Sequence, residues 1–429
     1  MTELPRGWAQ STLGRCCLVT LGQSPPGSSY NEFGVGMPFF QGKAEFGDLW
    51  PKTRKWTTQP TKIALENDVL ISVRAPVGPT NLAPCDCAIG RGLASLWPRG
   101  GIDSRYILYW LRASQRELAS LGTGTTFAAI SGAVLREHEI PLAPLAEQRR
   151  IVAAIEEHFS RLDAAEQALR VARRRLERMT TAVLTHALRH ADRHIRLREV
   201  AEVRLGRQRS PKNHVGPNMR PYLRAANVTW KGLSLADVKS MHFSPSEVET
   251  YELREGDVLL AEASGSPDEV GKPAVWRGEI PGCCFQNTLI RVRSHAHLPE
   301  FLRLVFLRDA LVGKFAAVAP GVGIHHLGAS RLANWEVPLP EPGEQSRIIA
   351  DVEQQLSLVD AMAAEIDRAL KRSATLRRSI LEQAFSGKLV PQDPSDEPAS
   401  VLLERIRAER AAAETATGRR PRRRATMET

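Results

Sequence analysis

Ile155, Leu162, Leu169, Leu176 and Val183 stand seven residues apart, with Val152 and Phe159 in alternate positions. A second series, Val352, Val359, Ile366 and Ile380, keeps the same step except at Ser373, with Leu356 and Leu370 alternating. A sustained seven-residue apolar seam predicts a coiled coil or a bundle helix. The first runs from Glu147 to Leu188 without proline or glycine, which at ~1.5 Å per residue makes a helix roughly 60 Å long. That is long for a globular core and suitable for a spacer. The second starts at Glu344. The two seams match at an offset of 197, Ile155 to Val352, Leu162 to Val359 and Leu169 to Ile366. Helices with matching seams at equivalent places in a repeat most simply pack on each other, and pseudo-two-fold symmetry makes them antiparallel.

The repeat extends outwards from the helices. Pro141-Leu142 followed by Glu147-Gln148-x-Arg150-Ile151 recurs as Pro338-Leu339 followed by Glu344-Gln345-x-Arg347-Ile348. Before each junction lies a stretch of short strands and turns. Val69-Leu70-Ile71-Ser72-Val73 reads as a strand entering the loop Ala75-Pro76-Val77-Gly78, with Gly90 to Leu96 as the returning strand and helical spacing over Ser104–Ser120. In the second copy Leu197-Arg198-Glu199-Val200 restarts the domain as Leu13-Gly14-Arg15 does in the first. Leu253 to Leu259 echoes Leu65 to Leu70, and Phe285 to Val292 is the returning strand. Asp68 and Asp257 are offset by 189 rather than 197, so loop lengths differ on a common frame. The expected fold class is α+β: two similar mixed α/β domains, 1–140 and 195–337, separated by two long antiparallel coiled-coil helices in 141–194 and 338–390, as a pseudo-two-fold internal repeat. A short helix from Ala399 to about Arg410 follows the turn Pro391–Pro398, and the basic end Gly418-Arg419-Arg420-Pro421-Arg422-Arg423-Arg424 is expected to be disordered.

The 429 residues carry a formal net charge of +10 and allow two or three domains. The basic balance leans towards a polyanion. No run of 18 apolar residues could span a membrane, and Met1 to Trp8 lacks the apolar core of a signal peptide, so a cytoplasmic protein is expected. Cys16, Cys17, Cys85, Cys87, Cys283 and Cys284 suit neither a disulfide framework nor a zinc knuckle and read as reduced. Phosphate-loop and adenine-methyltransferase motifs are both missing. Phe33-Gly34-Val35-Gly36 and Gly321-Val322-Gly323 read as turns, and no catalytic, cofactor-binding or metal residue is assigned.

Several motifs together resemble the specificity subunit of type I restriction–modification systems, the HsdS family. They are Leu4-Pro-x-Gly7-Trp8, Leu70-Ile-Ser-Val-Arg74-Ala-Pro-Val-Gly78, the two junctions, and Ala384 to Pro394 running into Glu397-Pro398-Ala399-Ser400. The resemblance covers essentially the whole chain. It implies two target-recognition domains, each reading half of a split double-stranded DNA sequence. It also implies helices that bind two modification (methyltransferase) subunits, and restriction subunits in the full complex. S-adenosylmethionine, ATP and Mg would then belong to those partners, with no cofactor in this chain.

Base readers are then sought on loops beside the shared strands. In the first domain the candidates are Gln41, Lys43, Arg74, Thr123, Thr125 and Thr126, with Lys52 and Lys55 as phosphate contacts or as a solvated basic face. In the second they are Arg207, Arg209, Lys212, Asn227, Ser264, Gln286, Asn287, His325 and His326. Gln286 and Asn287 alternatively close a turn, and the two histidines alternatively stand idle. Arg173-Arg174-Arg175 reads as solvated or subunit-facing. A methyltransferase in its own right lacks the motifs, and a protein-only scaffold leaves two basic, loop-rich heads unused.

Overall fold

The computed structural model describes residues 4–123, 128–189, 193–319 and 324–418, with side chains as far as Ala412. The chain forms two compact units, residues 1–167 with 369–429, and residues 168–368.

Val69–Ser72 is buried along its whole length, as a continuous apolar run covered on both faces requires. It lies in an antiparallel sheet of order Cys17–Leu21, Leu93–Pro98, Val69–Ser72, Thr80–Leu82. The second unit repeats that order with Ala201–Leu205, Leu289–Ser294, Val258–Ala261 and Pro273–Val275. The register is also the same: Leu96 faces Val69 as Val292 faces Val258, and Trp97 faces Leu18 as Arg293 faces Glu202. The offset grows along the chain from 184 (Cys17 to Ala201) through 189 (Val69 to Val258) to 196 (Leu93 to Leu289). Insertions therefore fall between strands and leave the frame intact. One helix covers each sheet, Ser104–Ala113 through Tyr106, Ile107 and Leu111, and Pro299–Leu311 through Phe301, Leu302 and Val305. A parallel strand pair sits beside each sheet, Met37–Phe40 with Cys87–Ile89 and Met219–Leu223 with Cys284–Phe285. The fold class is α+β with an internal repeat, as the pattern predicts.

The long helices run over Leu145–Ala187 and Pro342–Phe385. Each starts two residues before the Glu of its junction, because a first turn needs no internal N–H bond and tolerates proline. The repeated glutamine explains the junction. Gln148 Nε2 donates to the Ala143 carbonyl (2.8 Å) and Gln345 Nε2 to the Pro340 carbonyl (2.9 Å), tying each helix to the strand before it. Within the first unit Glu166 accepts from Ser373 Oγ (2.6 Å) and from Arg377 (3.1 Å), which also reaches Asp163 (2.6 Å). In the second unit Val183 and Leu184 pack with Val352, and Arg173 meets Asp367 at 3.4 Å. In both units the helices pair antiparallel. Ile155, Val352, Val359 and Ile366 are buried, and Leu162, Leu169, Leu176, Val183 and Ile380 are half-buried. Ser373, the break in the heptad, is buried on its bond to Glu166.

The C-terminal segment is more than a short helix with a tail. Its helix runs over Ala399–Gly418, and Ala399, Leu402 and Ile406 belong to the core of the first unit. The Ala399 N–H donates to the Gly7 carbonyl (2.8 Å), and Arg150 pairs with Asp396 at 2.6 Å. The basic residues from Arg419 onwards, and the turn expected over 321–323, lie outside the described residues.

Equivalent buried aspartates differ between the units. Asp257 is held by a bidentate Arg293 (2.7 Å to each oxygen) and by Arg254 N–H. Asp68 accepts from Leu65 N–H and, among the described residues, has no cation of its own, and burial pushes its carboxyl above the usual range. A raised pKa in the folded state means that ionised Asp68 opposes folding above that pKa, an effect that fades as pH falls through it. Asp68→Asn should therefore raise the first unit's melting temperature at pH 8 and bring less gain at pH 4. Asp257→Asn should cost the second unit about 3 kcal/mol, because Arg293 loses its partner. Paired thermal melts at the two pH values check both expectations.

Candidate nucleic-acid interface

Each parallel pair ends in a lip. In the first unit Gln41 follows Phe40, whose carbonyl accepts from Gly90 N–H (2.8 Å), and the Gly90-Arg91-Gly92 turn crosses over it. A Cβ on Gly92 would lie 2.5 Å from the Gln41 carbonyl oxygen, so the crossing demands glycine. In the second unit Gln286 N–H donates to the Leu223 carbonyl (2.8 Å), Asn287 N–H to the Arg207 carbonyl (3.0 Å), and Gly206 makes the close approach. Gln286 and Asn287 are thus the turn of the second lip, both half-buried. Arg224 occupies the place of Gln41, since Leu223 pairs with Phe285 as Phe40 pairs with Ile89.

Around the second lip the loop after Gly206 folds back through a short turn, Pro211–Asn213. Arg209, Lys212 and His214 on it are exposed. Arg209, His214, Tyr222, Arg224, Lys239 and Ser240 line a cavity of about 330 Å³. Among the described residues the one carboxylate paired with these cations is Asp237, which is exposed and shared between Lys239 (2.7 Å) and Arg224 (2.5 Å). The Lys239 hydrogen bond, with Arg224 beside it, holds the Asp237 carboxyl below its ordinary range.

Two candidate base readers are taken up by the fold itself. Arg207 is buried over the Phe243 ring, pairs with Glu247 (2.7 Å) and donates to the His242 carbonyl (2.8 Å). Asn227 is buried, accepts from Arg224 N–H and donates to the carbonyls of Ser234 and Asp237. Neither side chain is placed to meet a base edge: one pins the lip and the other closes a turn beneath it. Arg224, Lys239 and His214 are sites that sequence reasoning misses. Aligning the two copies strand by strand puts Arg224 opposite Gln41 and is the signal that finds it.

The remaining candidates lie on the rims. Gln41, Lys43, Lys52 and Lys55 are exposed near the first lip. Arg74 and Thr123, both exposed, bridge to Ala129 and form an arm, while Thr125 and Thr126 lie outside the described residues. The second unit's arm pairs Ser264 with His325 and Ala263 with His326. Here His325 Nδ1 lies 3.2 Å from the Ala319 carbonyl and His326 Nδ1 lies 3.1 Å from the Glu262 carboxylate. Each ring thus makes a contact within the unit through Nδ1. Cys85 is half-buried and the other five cysteines are buried. Burial pushes the thiols of Cys87, Cys283 and Cys284 up to about 12. Among the described residues no helix is long and apolar enough to cross a membrane.

A family model described as the type I restriction modification DNA specificity domain matches residues 5–171. The chain is 39% identical over 183 residues to the putative type I restriction enzyme MjaX specificity subunit of Methanocaldococcus jannaschii, an alignment covering 42% of this chain and 41% of that protein. It is 27% identical over 360 residues to the type I restriction enzyme EcoKI specificity subunit of Escherichia coli, covering 77% and 76%. Among solved structures, the HsdS subunit from Thermoanaerobacter tengcongensis is similar in fold, with a TM-score of 0.55 at 21% identity over 90% of this chain and 98% of that one. A chain from a type I R-M system studied for its complex assembly and conformational transition gives a TM-score of 0.74, also at 21% identity, over 90% and 100%.

Proposed function

The chain belongs to the specificity-subunit family of type I restriction–modification systems, and from that premise we propose that it reads an asymmetric, two-part double-stranded DNA target without catalysing any reaction itself. The observation that carries this reading is the duplicated frame. Two sheets share one strand order and one register, yet end in unlike lips, Gln41 beside the Gly90-Arg91-Gly92 turn in one and the Gln286-Asn287 turn in the other. Unlike readers on a common frame suit unlike half-sites, whereas identical readers would suit a palindrome. Lip and arm residues are the proposed base readers: Gln41, Arg74 and Thr123 for one half, Gln286, Asn287, Ser264 and His325 for the other. Lys43, Lys52, Lys55 and Lys212 supply phosphate contacts.

The outer faces of the two long helices are the proposed seats for two modification subunits. Those subunits would bring S-adenosylmethionine, while restriction subunits would bring ATP and Mg. Methyl transfer to duplex DNA, assayed with labelled donor, should therefore need both this chain and its modification subunits and be absent with either alone. Incorporation by the purified chain alone would make it an enzyme instead. Base-resolution mapping of methylated adenines in the host tests the rest: two unlike half-sites at a fixed spacing are expected, and a continuous or palindromic target would overturn the two-reader model.

A further inference from the structure

We propose that the cavity lined by Arg209, Arg224 and Lys239 is a built seat for one backbone phosphate of the duplex, giving the second unit a fixed, sequence-independent anchor beside its reading lip. The proposal rests on the DNA-reading function above and assigns the place of contact. Three cations converge on about 330 Å³, and the hydroxyls of Tyr222 and Ser240 lie on residues that line it. Their charge is under-compensated. Asp237 serves both Lys239 and Arg224, and it is exposed. Arg209 comes from a separate loop, so the cations are gathered from three chain segments rather than spaced along one solvated helix face.

Local order supports a prepared site. The loop bearing Arg209 is tied down by Arg207, which is buried against Phe243 and Glu247. The backbone N–H of Arg224 is fixed by the Asn227 carboxamide (3.0 Å). Lys239 stands on a strand registered against Tyr222. A phosphodiester carries one charge and two unbonded oxygens, so a forked guanidinium with an ammonium beside it matches it. The position next to Gln286 and Asn287 is what an anchor needs, because phosphate contacts fix register while base contacts specify.

The test uses the full-length chain with its modification subunits and a duplex carrying both half-sites. Wild type and Arg209→Ala/Lys239→Ala are compared by log Kd against log salt, on cognate DNA and on duplexes with one base pair changed in each half-site. The double variant should weaken all duplexes by the same factor and lower the salt slope by roughly 0.9, the change expected when one phosphate is no longer neutralised. Both residues are exposed, so an unchanged thermal melt is expected to exclude misfolding. Single methylphosphonate substitutions then scan the backbone. One position should weaken wild-type binding and be silent in the double variant. If every neutralised phosphate costs wild type and variant equally while half-site discrimination persists, the seat is wrong and the reading function stands. If wild type does not discriminate the altered half-sites at all, the reading function itself fails. If inorganic phosphate saturates the cavity but no backbone position couples to it, the seat serves a free anion and the proposal falls.

Discussion

Leu402→Ala is expected to destabilise the first unit by about 3 kcal/mol, within the range for deleting a fully buried leucine side chain. Leu402 is 1% exposed and Ile406 2%. Both press on the turn at Gly100, which sits at φ +61° and whose Cβ, if present, would lie 2.6 Å from Ile406. Little room exists for the core to close around the loss, so the cavity term adds to the transfer term. Removing residues 391–429 altogether should cost more, since it also strands the Gly7 carbonyl and removes Asp396 from Arg150. Hydrogen exchange followed by mass spectrometry gives the readout. Amides of Leu93–Pro98 and Ser104–Ala113 should exchange faster in Leu402→Ala, whereas those of Val258–Ala261 and Pro299–Leu311 should be unchanged. Equal protection throughout would make the C-terminal helix a surface appendage.

That helix shows where sequence reading stops. The heptads of the long helices are legible because period and length both exceed anything chance supplies, and the strands because Val69–Ile71 and Val258–Ala261 are unbroken apolar runs. Leu402 and Ile406 lie on a charge-rich helix whose pattern says amphipathic and nothing more. What it packs on is a contact across some 300 residues of chain, which no local period records. The site is half legible for a similar reason. Residue types suited to DNA stand on the right loops, but composition cannot separate a guanidinium that faces solvent from one that stacks on Phe243. Asn227 and Arg207 are candidates by type, and burial assigns them to the frame. Arg224 and Lys239 escape notice when the repeat is aligned by its junctions, at 197, because the lip strands have drifted to an offset of 183 (Phe40 to Leu223).

Arg207→Ala should abolish recognition of one whole half-site and leave the other intact. Arg207 is 9% exposed, and its guanidinium is divided between Glu247, the His242 carbonyl and the face of Phe243. It joins the loop carrying Arg209 and Lys212 to the strand Lys239–His242, and its own carbonyl receives Asn287 N–H. Losing it leaves Glu247 without its cation and unseats both the turn and the cavity. Breaking a largely buried ion pair from one side costs about 3–5 kcal/mol; with Glu247 about a third exposed, the lower end is expected. Arg207→Lys should recover little, because a point charge cannot reproduce the fork or the stacking. A base-reading arginine would behave differently: the melt would be unchanged, one base pair would be relaxed at a cost of about 1–3 kcal/mol, and the rest of the half-site would survive. Thermal melts combined with competition binding against single-base variants of both half-sites separate the two roles. A stable Arg207→Ala protein with one relaxed position would return Arg207 to the readers.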